Sequence, residues 1–315
     1  MGVKIKDIGG EFALIDRVAR RGGAVVGVGD DAAVLKYTKE KHLLFTTDML
    51  CEGDHFNLLW STPKEIGMKA MEVNVSDIGA MGGLPTYAVI SLSLKPDTSV
   101  EFMDGFYEGI YKAADEYNVK VVGGDTTHAA LMVVNVALLG EVEKDMLSLR
   151  SDAKVGDLIC VTGDLGKSTA GLELLKAGIK GDVKAHLQPK CRLKEARKIA
   201  KYCNALIDVS DGLASEVNHI CEMGRVGAVV HRDRIPVSKS TVESARKVGK
   251  DPVEYALNGG EDFELVFTVP KKRMGKIKVD CPVTVVGEIL ERKQGALLES
   301  NGTRRQLKGG YDHFK

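Results

Sequence analysis

One helix constrains this chain more than any other feature. Thr62 has the character of an N-cap, Pro63 stands at the first helical position and Glu65 completes a capping box. The pattern predicts a helix to about Met81, stopped by Gly82-Gly83 and Pro85. Ile66, Ala70, Val73, Asp77 and Met81 fall on one stripe at spacings of three and four. A carboxylate on an apolar stripe is costly unless it is paired or metal-bound. The macrodipole also disfavours an anion near a helix C-terminus. Metal binding at Asp77 is therefore expected over a merely hydrogen-bonded buried acid.

Other acids stand beside small residues. They are Asp30-Asp31, Thr46-Thr47-Asp48, Gly124-Asp125, and Asp208 with Asp211. Each group is read as a loop at a strand or helix end. Magnesium prefers hard oxygen ligands such as carboxylates, hydroxyls and phosphates. Like charges brought close repel, and a central cation reverses that. The set is expected to gather magnesium around a nucleotide's phosphates. Singly, each acid has a plainer reading. Asp30 or Asp31 could form an Asx turn, Asp208 or Asp211 could cap the next helix, and Asp125 could be an ordinary turn residue.

Two lookalikes fail. Gly27-Val28-Gly29-Asp30-Asp31-Ala32 fits the dinucleotide fingerprint, but its two carboxylates would repel a pyrophosphate. Gly163-Asp164-Leu165-Gly166-Lys167-Ser168 resembles a P-loop, but Val161 occupies the place of the first glycine.

Around the central helix, strands are expected at 43–47, 87–94, 119–122 and 131–140, with a second amphipathic helix over 98–117. The polar turn at 150–156 marks a boundary between halves 1–149 and 150–315. The second half is read as a strand at 157–162, helices from about Gly166 and after Pro189, a helix through Cys221, and strands at 263–269 and 283–289. Strands and helices without strict alternation favour an α+β class.

The 315 residues suit two domains, and 44 acidic against 44 basic residues argue against a nucleic-acid partner. Six scattered cysteines without a C-x-x-C pair suggest reduced thiols in the cytoplasm. Residues 1–21 lack the apolar run of a signal peptide, and 131–139 is too short to span a bilayer, so no membrane partner is expected.

Several phrases, in order, carry a resemblance. They are Gly-Glu-Phe-Ala-Leu-Ile (10–15), Gly-Val-Gly-Asp-Asp-Ala-Ala (27–33), Thr-Thr-Asp-Met-Leu-Cys-Glu-Gly-Asp-His-Phe (46–56) and Lys-Ala-Met-Glu-Val-Asn-Val-Ser-Asp (69–77). Gly-Gly-Asp-Thr-Thr (123–127), Asp-Val-Ser-Asp-Gly-Leu (208–213), Gly-Gly-Glu-Asp-Phe-Glu-Leu (259–265) and Gly-Tyr-Asp-His-Phe (310–314) follow. Nearly end to end, the chain resembles the thiamine-monophosphate kinases of the aminoimidazole ribonucleotide synthetase superfamily. The reactive cysteine contexts of its selenophosphate synthetase and hydrogenase-maturation relatives are not evident.

The resemblance implies two α/β domains with nucleotide between them. The N-terminal mixed-sheet domain, 1–149, would bind ATP and magnesium and pair into a homodimer through a shared barrel. The C-terminal domain, 150–315, would complete the site. It implies phosphoryl transfer from ATP to thiamine monophosphate without a protein nucleophile. Asp31, Thr46, Thr47, Asp48, Asp77, Asp125, Asp208 and Asp211 would be metal ligands, with Asp30 shaping the turn or binding through water. Tyr107, Gly124, Asp125, Arg150 and Ser210 would meet ATP, and His55, Glu261 and Tyr311 the thiamine end. Another ATP-dependent synthetase with a different phosphorylated acceptor, or a non-catalytic nucleotide-binding protein, stays open at this point.

Overall fold

The computed structural model describes residues 3–19 and 22–314. The readings of the two chain ends rest partly on Met1, Gly2, Arg20, Arg21 and Lys315, which lie outside the described residues.

The first half opens with α1 (Glu11–Val18), β1 (Ala33–Lys36), β2 (Lys41–Cys51) and α2 (Pro63–Ala80), then β3 (Leu84–Leu94), α3 (Val100–Glu116), β4 (Lys120–His128) and β5 (Val133–Glu143). Its sheet has the order β1-β2-β5-β3-β4. Only β3 and β4 pair in parallel, so the sheet is mixed. The second half holds β6 (Asp157–Thr162), α4 (Lys167–Lys176), α5 (Lys184–Leu187), α6 (Leu193–Ile199), β7 (Ala205–Asp208), α7 (Leu213–Gly224) and β8 (Gly227–His231). It continues through α8 (Lys239–Lys247), α9 (Pro252–Asn258), β9 (Leu265–Pro270), α10 (Lys271–Met274), β10 (Val283–Leu290), β11 (Ala296–Ser300) and β12 (Thr303–Gln306). Its sheet runs β12-β11-β8-β10-β6-β9-β7, with β11 and β8 parallel. Two mixed sheets flanked by helices make the fold α+β, as the order of strands and helices predicts.

The capping box of α2 forms as the sequence requires: the Glu65 N–H donates to Thr62 Oγ1 and the Thr62 N–H to Glu65 Oε2. The helix is buried nearly all round, including Lys69, Glu72, Asn74 and Ser76. A single apolar stripe was too narrow a description, because sheet, α3 and the second half enclose α2 on several sides. Gly67 permits the crossing with α3, since a Cβ there would lie 2.1 Å from the Phe106 carbonyl oxygen.

Two phrases read as loops are strand. Thr46-Thr47-Asp48 lies in mid-β2, and Gly-Gly-Asp-Thr-Thr at 123–127 lies within β4. Each pairs with a neighbour along its length, which outweighs the turn character of glycine and aspartate. Strand geometry then splits adjacent residues between faces. Thr46 and Asp48 alternate with the exposed Phe45, Thr47 and Met49. The predicted strand at 131–140 is β5, whose residues alternate between buried and half-buried, so the second face of the sheet is left open. Phe45, Met49, Tyr87 and Val89 are exposed there.

Candidate active site

The acids meet where the first sheet, α2 and the second half converge. Carboxylate oxygens of Asp31, Asp77 and Asp208 all lie within 4.8 Å of one another. Asp31 comes from the loop before β1, Asp77 from the last turn of α2, and Asp208 from the end of β7. Thr46 Oγ1 donates to Asp77 Oδ2 at 2.6 Å, and the Ser76 hydroxyl donates to Asp208. Asp31 is held by the Arg150 guanidinium at 2.5 Å, yet its buried Oδ2 has no hydrogen-bond partner.

Asp30 shapes the turn: its Oδ1 accepts the Asp31 N–H, and its Oδ2 accepts the Arg150 N–H. Burial and the neighbouring Asp31 charge push its carboxyl up to about 7. Burial, with Asp31 and Glu261 nearby, lifts Asp48 to about 6. Burial, then the charges of Asp48, Asp208 and Asp31, raises Asp77 well above the usual carboxylate range. Asp208 is raised by burial and by Asp31. Burial and Glu11 lift Asp211 to about 6. So many carboxyls raised in one place, by burial first and by their neighbours' charges second, mark a site where a cation would offset the cost of ionisation.

A cavity of about 510 Å³ adjoins this cluster. Asp48, Ser210 and Asp211 line it, as do His55, Glu261 and Tyr311. His55 Nδ1 accepts the Cys51 N–H at 3.1 Å, and burial pulls its pKa down. The Tyr311 hydroxyl donates to Asp54 Oδ1 at 3.0 Å, and its N–H donates to the Asp211 carbonyl. Glu261 sits at φ +66°. Gly260 before it has no room for a side chain, because a Cβ would lie 2.3 Å from the Ser210 carbonyl oxygen.

Four expected positions lie apart within this chain. The strand register runs Asp48–Val136–Ile90–Gly124, so Gly124 and Asp125 stand three strand steps, about 14 Å, from Asp48. Asp125 and Thr47 are exposed beside the open face of the sheet. Tyr107 is on α3, half-buried against Phe106 and Tyr111, and is not among the cavity's lining residues.

Sequence reasoning missed several partners. Asn74 Oδ1 accepts the Asp48 N–H, Glu216 accepts the Asp211 N–H, and Lys69 and His186 flank Glu261. The available signal was the polar set Lys69, Glu72, Asn74 and Ser76 inside a helix otherwise read as one apolar stripe.

Residues 29–142 match the family model of the AIR synthase related protein, N-terminal domain, and residues 154–298 match that of its C-terminal domain. The thiamine-monophosphate kinase of Aquifex aeolicus (strain VF5) is 38% identical over 319 residues, covering 99% of this chain and 100% of that protein. That of Bacillus subtilis (strain 168) is 36% identical over 327 residues, covering 97% and 99%. A solved structure described as AaThiL complexed with AMPPCP and TMP superposes with a TM-score of 0.90 at 37% identity, covering 99% of both chains. On this fold, this acid cluster and these relatives, the chain belongs to the thiamine-monophosphate kinase family.

Proposed function

We propose that the chain transfers the γ-phosphoryl group of ATP to thiamine monophosphate in one in-line step, giving thiamine diphosphate and ADP. The observation that carries this reading is the triad of buried Asp31 and Asp208 with half-buried Asp77, beside a cavity lined by His55, Glu261 and Tyr311.

The residues fit magnesium. The donors are all oxygen, their carboxyls repel one another, and Asp31 Oδ2 is buried with no partner. Asp31, Thr46, Asp48, Asp77, Asp208 and Asp211 would hold the ions, and Thr47 and Asp125, exposed on the other side of the sheet, would contribute through a paired chain. Bound there, magnesium supplies the charge neutralisation that lets two phosphate groups approach. The chain's own work is positioning. Arg150 fixes Asp31 and carries a fork suited to a phosphate. Ser210, Tyr107 and Gly124 complete the nucleotide contacts. Tyr311 offers an aromatic face to the thiamine rings, and His55 and Glu261 line the same cavity.

A homodimer supports the same site. The open face with Phe45, Met49, Tyr87 and Val89 is an apolar surface of the kind that pairing covers. A second sheet laid on it would close a barrel and bring Gly124 and Asp125 toward a partner's nucleotide. Six free cysteines suit a reducing cytoplasm, and no helix among the described residues is long and apolar enough to cross a membrane.

Incubation with ATP, magnesium and thiamine monophosphate should yield thiamine diphosphate and ADP in equal amounts by mass spectrometry. ADP and free phosphate alone would overturn the reading. ATP made chiral at the γ-phosphorus should transfer with inversion; retention would require a phosphoenzyme.

Magnesium should also act on stability in a pH-dependent way. Asp48, Asp211 and Asp30 rise from 3.8 to about 6, 6 and 7 on folding. A group with a raised folded pKa takes up a proton on folding between the two values. Its contribution therefore weakens as pH rises from about 4 to about 7. Magnesium needs the deprotonated carboxylates. Its increment in melting temperature should be small at about pH 5 and large at about pH 8. Equal increments at both would remove these carboxylates from the metal site.

A further inference from the structure

Glu261 is held from three directions. Lys69 Nζ lies 2.6 Å from Glu261 Oε1, and His186 Nδ1 lies 3.2 Å from Oε2. The Glu261 N–H donates to the Ser210 carbonyl at 2.8 Å. Lys69 and His186 are almost wholly buried, with side chains 3% and 2% exposed, whereas Glu261 keeps 22% of its side chain open. The backbone at φ +66° is a conformation that glutamate adopts only under constraint. Such strain persists where the surroundings over-determine it, and here both backbone and side chain are tied.

Lys69 also donates to the His55 carbonyl oxygen at 2.7 Å. One ammonium group on α2 thus ties a loop of the first half to the Gly259-Gly260-Glu261 turn of the second. The cavity wall is registered against the helix that carries Asp77 eight residues further on.

The charge arrangement decides what Glu261 can recognise. An ammonium at 2.6 Å already compensates the carboxylate. A second cation would meet a nearly neutral pair and still lose its hydration. A carboxylate has about four acceptor sites, of which Lys69 and His186 occupy two. What remains open is directional acceptance. Burial alone would raise the Glu261 carboxyl, but the Lys69 charge and the His186 hydrogen bond bring it down to about 2, so it cannot act as a donor near neutrality. The aromatic face suited to a cationic ring is Tyr311, which is 43% exposed.

We propose that Lys69 and His186 are positioning residues that fix Glu261 as a hydrogen-bond acceptor, so that the cavity selects its heterocycle by an exocyclic amine donor rather than by the charge of a cationic ring. The inference rests on the reading that Glu261 meets the thiamine end of the acceptor. A heterocycle carrying a carbonyl in place of the amine would face the carboxylate with a second acceptor. A site built to accept a hydrogen bond rejects such an analogue strongly.

The test compares thiamine monophosphate with oxythiamine monophosphate, in which an oxo group replaces the pyrimidine amine. Steady-state kcat and KM for both, KM for ATP and melting temperature are measured on four proteins: wild type, Lys69→Met, Glu261→Gln and the double variant. Wild type should prefer thiamine monophosphate. Lys69→Met should raise its KM by about tenfold or more, leave the ATP KM within about twofold, and narrow the preference. Glu261→Gln, whose amide can donate to the oxo group, should also narrow or invert the preference. Lys69→Met leaves a buried carboxylate without its cation and should melt earlier. The double variant removes both charges, so it should regain melting temperature while its thiamine monophosphate KM stays high. That keeps the measurement readable if the single variant folds poorly. A wild type without preference overturns the proposal. So does a wild-type KM and preference in Lys69→Met while Glu261→Gln alters both, an outcome that leaves the Glu261 contact standing. If Glu261→Gln changes neither, the contact reading itself fails.

Discussion

Asp77→Asn is expected to cut kcat/KM by about 10²–10³-fold while raising the melting temperature of the metal-free protein. The two effects have one cause. Asp77 lies within 4.8 Å of Asp31 and Asp208, and its carboxyl is raised by burial and by three neighbouring acids. Ionising it without a cation costs stability. An asparagine keeps an oxygen for the Thr46 hydroxyl and gains an N–H that can donate to Asp31 or Asp208. Removing one of three clustered carboxyls relieves that cost, which should show as a higher melting temperature in chelator. On the proposed reading the same change removes an anionic oxygen from the magnesium site, whose charge neutralisation of two phosphates is the main thing it would supply. Thermal melts in chelator and steady-state kinetics with saturating magnesium check both arms. Asp97→Asn, at an exposed position away from the cluster, should change neither. An Asp77→Asn protein with wild-type turnover, or one that melts earlier in chelator, would contradict the assignment.

How far the site was legible follows from the range of the interactions. The start of α2 could be read because a capping box is local: Thr62 and Glu65 satisfy each other within one turn. Asp77 could be read because an acid among Ile66, Ala70 and Val73 violates a helical period. The α+β class followed from the order of elements. Several partners could not be read, because they come from the opposite half of the chain. Ser76 bonds Asp208, Lys69 meets Glu261, and Arg150 meets Asp31, each pairing being set by how the two halves dock. The strand assignments erred for a related reason. Glycine, threonine and aspartate at 123–127 have turn chemistry, but β3 supplies a parallel ladder to them, and that pairing lies far back in the sequence. The alternation within β2 was equally hidden. Once 46–48 is strand, Thr47 must leave the face that Thr46 and Asp48 share. The phrase therefore serves two sides of one sheet.

That division leads to the second large expected effect. Thr47 and Asp125 are exposed beside the open sheet face, and Asp125 stands about three strand spacings from Asp48. Within one chain Asp125 cannot reach the triad without breaking β4. If the open faces of two chains pair, Asp125 serves the partner's nucleotide. Asp77→Asn and Asp125→Asn homodimers should then each fall to about 1% of wild-type turnover or below. A hybrid dimer, co-expressed with two tags and purified on both, behaves differently. Its site with an intact Asp77 receives an intact Asp125 from the other chain, while its second site lacks both. Turnover should return to about half the wild-type value per dimer, because a two-fold interface gives each chain's residues to the other. If Asp125 acts within its own chain, every site of the hybrid lacks one carboxylate and the hybrid stays inactive. If the doubly tagged species cannot be recovered at all, the open face is not a dimer interface. Val89→Lys, midway along β3 on that face, should separate the chains in analytical ultracentrifugation. If Asp125 serves the partner's site, turnover should fall with the dimer fraction.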